Sequence, residues 1–111
     1  MHEVIARREL IAVTSSGERL PVTIELGKPV SSPGPNENWE CHLVITPPLM
    51  HRPIDVGGYD ALQALCLAIS LANSHLREFV VHGGRLTYPD SDDEFTLEDA
   101  FPELGQHPGP K

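Results

Sequence analysis

The sequence has few basic residues. Its 111 residues include eight Lys and Arg against sixteen Asp and Glu, which gives a formal net charge of -8 at pH 7. Proteins that bind DNA or RNA use clustered Lys and Arg to neutralise phosphates, and here these residues are scattered along the chain. The composition therefore predicts that nucleic acid is not a direct ligand. It favours a soluble protein or one whose partner is basic.

Cysteine is scarce, and no long uninterrupted apolar run is present. The two cysteines, Cys41 and Cys66, have neither the number nor the spacing of a disulfide framework or a zinc site. The most apolar segment is interrupted by Gln63 and Ser70, so we do not expect it to cross a bilayer. The first residues, MHEVIARREL, contain no apolar signal core. We therefore expect a cytoplasmic protein with no membrane partner.

Signatures of catalysis and metal binding are also missing. None of the six histidines lies in a His-Glu-x-x-His or Cys-x-x-Cys context. His75 and His82 share a helix face, but they are about 10 Å apart along the axis, too far to bind one metal ion. No serine lies in a Gly-x-Ser-x-Gly motif, and no glycine-rich phosphate loop is present. The sequence therefore predicts no catalytic residue, no metal and no cofactor, and favours a protein that is not an enzyme.

The strand pattern predicts a small antiparallel sheet. Segments with alternating or β-branched residues are 3–14, 19–26, 39–46 and 84–88. Pro21 lacks a backbone donor, so the early part of the second strand should lie at an edge or a strand start. Segments 27–38 and 47–58 are rich in Pro and Gly and are read as long irregular connections, with a short strand near 53–56 in the second. We expect three to four strands.

One long helix is predicted between the 47–58 connection and the strand at 84–88. Asp60 and Gln63 form a capping-box pattern at its start, and Gly83 and Gly84 end it. The spacing of large apolar residues predicts a core-facing stripe of Leu62, Leu65, Cys66, Ile69, Ala72, Leu76, Phe79 and Val80. The predicted fold is an α+β two-layer sandwich, with the helix packed across one face of the sheet. A single domain is expected over 1–104, with a disordered tail over 105–111.

A second set of apolar residues on the helix lies outside that stripe. We interpret it as a candidate interaction patch, which comprises Ala64, Leu67, Ala68 and Leu71. One alternative is cover within the chain, from the long connections or from the C-terminal segment around Phe101 and Leu104. The other is an interface with a second copy or with a foreign protein.

The acidic run near the C-terminus is a second candidate. It comprises Asp90, Asp92, Asp93 and Glu94. It lacks the glycine and the terminal glutamate that a calcium loop places at fixed spacing. A solvated turn is one interpretation, and an electrostatic docking patch for a basic partner is the other.

The order of the segments resembles a known group of proteins. The motifs that carry the resemblance are VIARREL, LPVTIELGKP, WECHLVI, DALQALCLAISL and GRLTY, within residues 3–88. This pattern is similar to a family of short bacterial proteins classed as a domain of unknown function. The resemblance implies the fold described above. It implies no activity, because that family has no established activity or catalytic residues.

Three functions stay open from the sequence. The leading hypothesis is a non-enzymatic protein-binding module, such as a cognate inhibitor (an immunity-type protein) of a basic effector. The second is a homo-oligomer with a structural or adaptor role, which would use the patch around Leu67 and Leu71 or an unpaired strand edge. The third is a small-ligand binder or enzyme, with a pocket between the sheet and the 27–38 and 47–58 connections.

Overall fold

A computed structural model describes residues 3–32 and 38–100 of the chain. Its elements are β1 (Val4–Val13), β2 (Arg19–Gly27), β3 (Val30–Ser32), β4 (Asn38–Ile45), β5 (Ile54–Gly58), α1 (Ala61–Val81), β6 (Arg85–Thr87) and α2 (Leu97–Ala100). The predicted α+β class, an antiparallel sheet with one long helix packed on it, is confirmed. The sheet has six strands, more than the three to four predicted. The predicted domain end at 104 and the tail over 105–111 lie outside the described residues.

The strand β4 lies at the centre of the pairing pattern. It pairs with β2 and β3 along one edge and with β5 along the other, and β1 connects β2 to β6. β3 continues the line of β2 after two residues. The strand β5 corresponds to the short strand predicted near 53–56. The strand β3 lies in the 27–38 segment, which was predicted to be an irregular connection. It has three residues, two of them Ser, so its pairing follows from the backbone of β4 and not from alternation of its own side chains.

The early part of β2 lies at a local edge, as Pro21 predicts. Pro21 pairs with Ile11 of β1 on one side. On the other side, the pairing of β2 with β4 covers only Ile24, Glu25 and Leu26. A residue without a backbone N–H is tolerated at Pro21 because no second strand pairs with it there.

The helix α1 begins with the predicted cap. The Asp60 carboxylate accepts a hydrogen bond from the backbone N–H of Gln63 at 2.7 Å. The Gln63 side-chain oxygen in turn accepts from the backbone N–H of Tyr59 at 2.6 Å. Two backbone N–H groups at the helix start are thereby satisfied. In the usual reciprocal capping box the second of them belongs to the N-cap residue, and here it belongs to Tyr59, one residue earlier.

The helix ends in the glycine pair. The Gly83 N–H donates to the Val80 carbonyl and the Gly84 N–H to the Phe79 carbonyl, both at 3.0 Å. Gly83 has a φ of 100°, in the left-handed region that favours glycine. This pair of bonds is a Schellman motif. Because α1 ends at Val81 and β6 begins at Arg85, only three residues connect the helix to the sheet.

The face that α1 turns to the sheet contains most of the predicted stripe: Ala72 and Leu76 are buried, and Leu65, Ile69, Phe79 and Val80 pack partly buried against the core. The side chains of Ala64, Ala68, Ala72 and Leu76 are completely buried, at 0% exposure. Leu62 is 69% exposed, and Cys66 is also exposed, so their predicted place in the core stripe is wrong. Residues 61–72 are mostly apolar on every side. The sequence therefore offers no polar face from which the rotation of the helix can be predicted. Assigning the core side by residue size favours the bulky residues, whereas the alanines pack closest to the sheet.

By length and composition alone, α1 is apolar enough to cross a membrane, a property it shares with core helices of soluble proteins. In this fold it packs mainly on β4 and β5. The alanine side meets the core residues Cys41, Leu43 and Ile45 of β4 within one hydrophobic cluster. The arrangement is consistent with a soluble protein; the cytoplasmic location stays a prediction.

The alanine side lets α1 approach β5 very closely. A Cβ atom placed on Gly58 would lie 2.5 Å from the backbone nitrogen of Ala64. The neighbouring Gly57 has more room, since its Cβ would meet the Asn38 side-chain nitrogen at 3.2 Å. Gly58 therefore sets the distance between sheet and helix, and Gly57 does not.

We expect Gly58→Ala to lower the free energy of unfolding by about 1–3 kcal/mol or more, because backbone atoms of α1 must move to accept the methyl group. Gly57→Ala is the matched control, and its effect should stay within about 0.5 kcal/mol. Urea denaturation followed by circular dichroism measures both. Equal stabilities of the two variants would contradict the close packing of β5 against α1.

The two cysteines lie in opposite environments. Cys41 is buried at 0% exposure, and its Sγ donates to the Gly27 carbonyl at 3.3 Å. Burial raises the pKa of the Cys41 thiol above its ordinary value. Cys66 is exposed on α1. The thiolate is the reactive form, so only Cys66 should react readily in the folded protein.

Titration with a thiol reagent at low protein concentration should therefore count one fast thiol per folded chain and two per unfolded chain. We expect the Cys41 reaction to be roughly a thousandfold slower, because it requires unfolding of the core. Cys66→Ala should remove the fast phase, and Cys41→Ala should remove the slow one. Two fast thiols in the folded wild type would show that the core around Cys41 is open.

Candidate interaction surfaces

The acidic turn, which we define as Asp90, Asp92, Asp93 and Glu94, lies between β6 and α2. All four residues are exposed. The turn is held by backbone hydrogen bonds: the Tyr88 N–H donates to the Asp93 carbonyl at 3.1 Å. Within the turn, the Asp93 N–H donates to the Ser91 hydroxyl at 3.1 Å. The carboxylates are thus presented on a hydrogen-bonded turn.

Aromatic packing anchors the base of the acidic turn. Phe95 is 4% exposed, and its N–H donates to the Leu86 carbonyl of β6 at 2.8 Å. The Tyr88 and Phe95 rings meet edge to face, with centroids 5.4 Å apart. The guanidinium of Arg8 lies over the Phe95 ring, 5.1 Å from its centroid. Strand β1 and the residues after β6 are therefore joined directly below the turn.

The acidic turn has one ion-pair partner among the described residues. Arg19 lies 3.3 Å from Asp92, and the two side chains are 47% and 91% exposed. Such exposed pairs contribute only about 0–1 kcal/mol. The negative charge of the turn is therefore only partly compensated and stays available to a cationic partner.

The second surface is the outer ridge of α1, which we define as Tyr59, Leu62, Cys66, Leu67 and Ser70. Tyr59 is 85%, Leu62 69% and Leu67 45% exposed, and Cys66 and Ser70 are exposed as well. No Asp, Glu, Lys or Arg occurs in residues 61–76. In a chain with a net charge of -8, this is an uncharged and partly apolar surface.

The outer ridge differs from the candidate patch that was predicted from the sequence. Leu67 is exposed, but Leu71 is partly buried against the core. Ala64 and Ala68 are completely buried, so they offer no surface, and their place in the patch is wrong. They belong to the side of α1 that packs on the sheet. A partner role for Leu67 and Leu71 stays a prediction, and Phe101 and Leu104, the proposed cover, lie outside the described residues.

His75 and His82 each have a hydrogen-bonding partner within the chain. The Nδ1 of His75 lies 3.2 Å from the Leu49 carbonyl, and that of His82 lies 2.8 Å from the Glu78 carbonyl. Within residues 3–32 and 38–100, no group of three or more His, Cys, Asp or Glu is placed to hold a metal ion.

The sequence did not reveal the pair formed by His42 on β4 and Asp55 on β5. Its nearest atoms are 2.6 Å apart. The two residues are direct cross-strand neighbours. They could be paired from the sequence only if β5 and its register were known, and that segment was read largely as a connection.

A groove of about 260 Å³ lies between the 47–58 segment and the second half of α1. Its lining comprises Pro48, Leu49, His75, Glu78, Phe79 and His82. The small-ligand hypothesis placed a pocket between this segment and the sheet. Here the segment faces the helix instead, and the groove is open to solvent.

Comparison with known proteins gives one relationship. No curated protein and no solved structure matches the chain. A family model described as Domain of unknown function (DUF6968) matches residues 6–98. This range includes most of β1, the whole of α1 and the acidic turn. The chain therefore belongs to this family of unknown function.

Proposed function

We propose that the protein is a non-enzymatic binding module that docks a basic protein through its acidic turn. The observation that carries the proposal is the exposure of four carboxylates on a turn whose base is fixed by Phe95. A cognate inhibitor of a basic effector would use such a surface. Electrostatic complementarity of this kind accelerates association and selects partners of opposite charge.

Tyr88 supports the same surface. It lies two residues before Asp90 in the chain, is 39% exposed and packs on the buried Phe95 ring. Tyrosine is enriched at interfaces because it combines a large apolar ring with a hydroxyl and has few side-chain rotamers to lose. We assign Tyr88 the role of the apolar anchor, with the carboxylates around it steering the partner.

The test is affinity capture from a lysate of the source cells at low and at high salt. The bait is the tagged wild-type protein or the variant Asp90→Asn, Asp92→Asn, Asp93→Asn, Glu94→Gln. We expect the wild type to retain a basic protein in stoichiometric amount at low salt and to release it as salt screens the charges. The variant should retain at least tenfold less, since it loses the charges that face the partner.

The matched control carries Glu3→Gln, Glu9→Gln, Glu40→Gln and Glu78→Gln. It has the same net charge as the first variant but an intact acidic turn. We expect it to capture the partner nearly as well as the wild type does. Equal loss in both variants would mean that overall charge attracts the partner without a docking site. Capture of no basic protein by the wild type would contradict the proposal.

A further inference from the structure

We propose that the outer ridge of α1 is a contact between two copies of this chain, which pack their helices antiparallel around a two-fold axis. The inference goes beyond the proposed function and is independent of it. The acidic turn lies after β6 and contributes no residue to the ridge. The part of the helix that carries the ridge, residues 61–76, contains no charged residue. This absence of charge decides which occupant fits.

Charge favours a second copy. In a two-fold contact each surface meets its own equivalent, so charged residues at its centre would oppose like charges and lose their hydration. Two chains of net charge -8 repel each other over most of their surfaces. The stretch 61–76 is the longest in the sequence without Asp, Glu, Lys or Arg. Contact there brings two copies together without burying like charges, whereas the anionic surface of a membrane would repel the rest of the chain.

The spacing of the residues fits an antiparallel helix pair. At about 100° per residue, Cys66 and Ser70 both lie close to the line opposite the buried Ala68. A two-fold axis midway between Cys66 and Ser70 places two small side chains at the crossing point, where the backbones approach closest. The same axis places Leu62 opposite Ser74 of the second copy.

The expected dimer is weak. A helix of 21 residues is about 30 Å long and about 10 Å wide, so the contact is smaller than the roughly 800 Å² per partner of a standard interface. We therefore expect a dissociation constant in the micromolar range. Sedimentation equilibrium of the untagged wild-type chain from about 1 to 500 µM should show the mass rising from one chain to two.

The test compares Leu62→Glu with Val30→Glu. Val30 lies on β3, away from the ridge, and is 47% exposed, and both variants have the same net charge. We expect Leu62→Glu to weaken dimerisation at least tenfold, because it places a carboxylate in the contact, while Val30→Glu dimerises like the wild type. A wild type that stays monomeric at the highest concentration would overturn the proposal. So would an equal effect of the two substitutions.

Cysteine cross-linking of the wild-type chain supplies a second readout that does not depend on Leu62→Glu or Val30→Glu. A short bifunctional maleimide should join two wild-type chains through Cys66 at concentrations where the mass doubles, and much less on dilution. Cys41→Ala should still cross-link, and Cys66→Ala should not. A dimer that does not cross-link at Cys66 would place the contact elsewhere. A monomer that binds neutral phosphatidylcholine vesicles, and loses this binding on Leu62→Glu, would assign the ridge to lipid instead.

Discussion

The close contact between β5 and α1 determines most of what this molecule presents to its surroundings. At Gly58 the strand backbone approaches Ala64 so closely that even a methyl group has no room. This approach is possible only where the helix offers alanines, and it fixes the rotation of α1 about its axis. Once Ala64, Ala68 and Ala72 face the sheet, Leu62 and Cys66 must face away from it. An uncharged outer ridge is thus a direct result of tight packing on the opposite side.

Much of the fold could be predicted from local signals. The cap at Asp60, the helix end at Gly83 and the edge position of Pro21 each follow from backbone chemistry within a few residues. A short strand near 53–56 was predicted and corresponds to β5, in which Ile54, Asp55 and Val56 alternate. The strand β3 was not predicted, because its three residues show no alternation and it forms by pairing with the backbone of β4. That information is non-local, and it becomes available only when the chain is folded.

The candidate surfaces divide in the same way. The acidic turn was visible in the sequence because consecutive carboxylates rarely occur buried, and their exposure needs no knowledge of the fold. Of the four residues of the predicted helix patch, one is exposed, and a partner role for the patch stays a prediction. Leu67 faces solvent, but the alanines beside it do not, because nothing in residues 61–72 distinguishes a sheet-facing side from a solvent-facing one. The rotation of an almost wholly apolar helix is set by shape complementarity, which composition does not record.

The short passage from α1 through the glycine pair into β6 has a consequence for the energetics of recognition. The carboxylates follow β6, which a three-residue connection joins to α1, and Phe95 fixes the far end of their turn to the sheet. A ligand of this turn would meet a preorganised backbone. It would lose side-chain rotamers on binding but little backbone entropy. Association would then follow rigid-body kinetics, with a rate set by charge and orientation and not by a slow rearrangement of the loop.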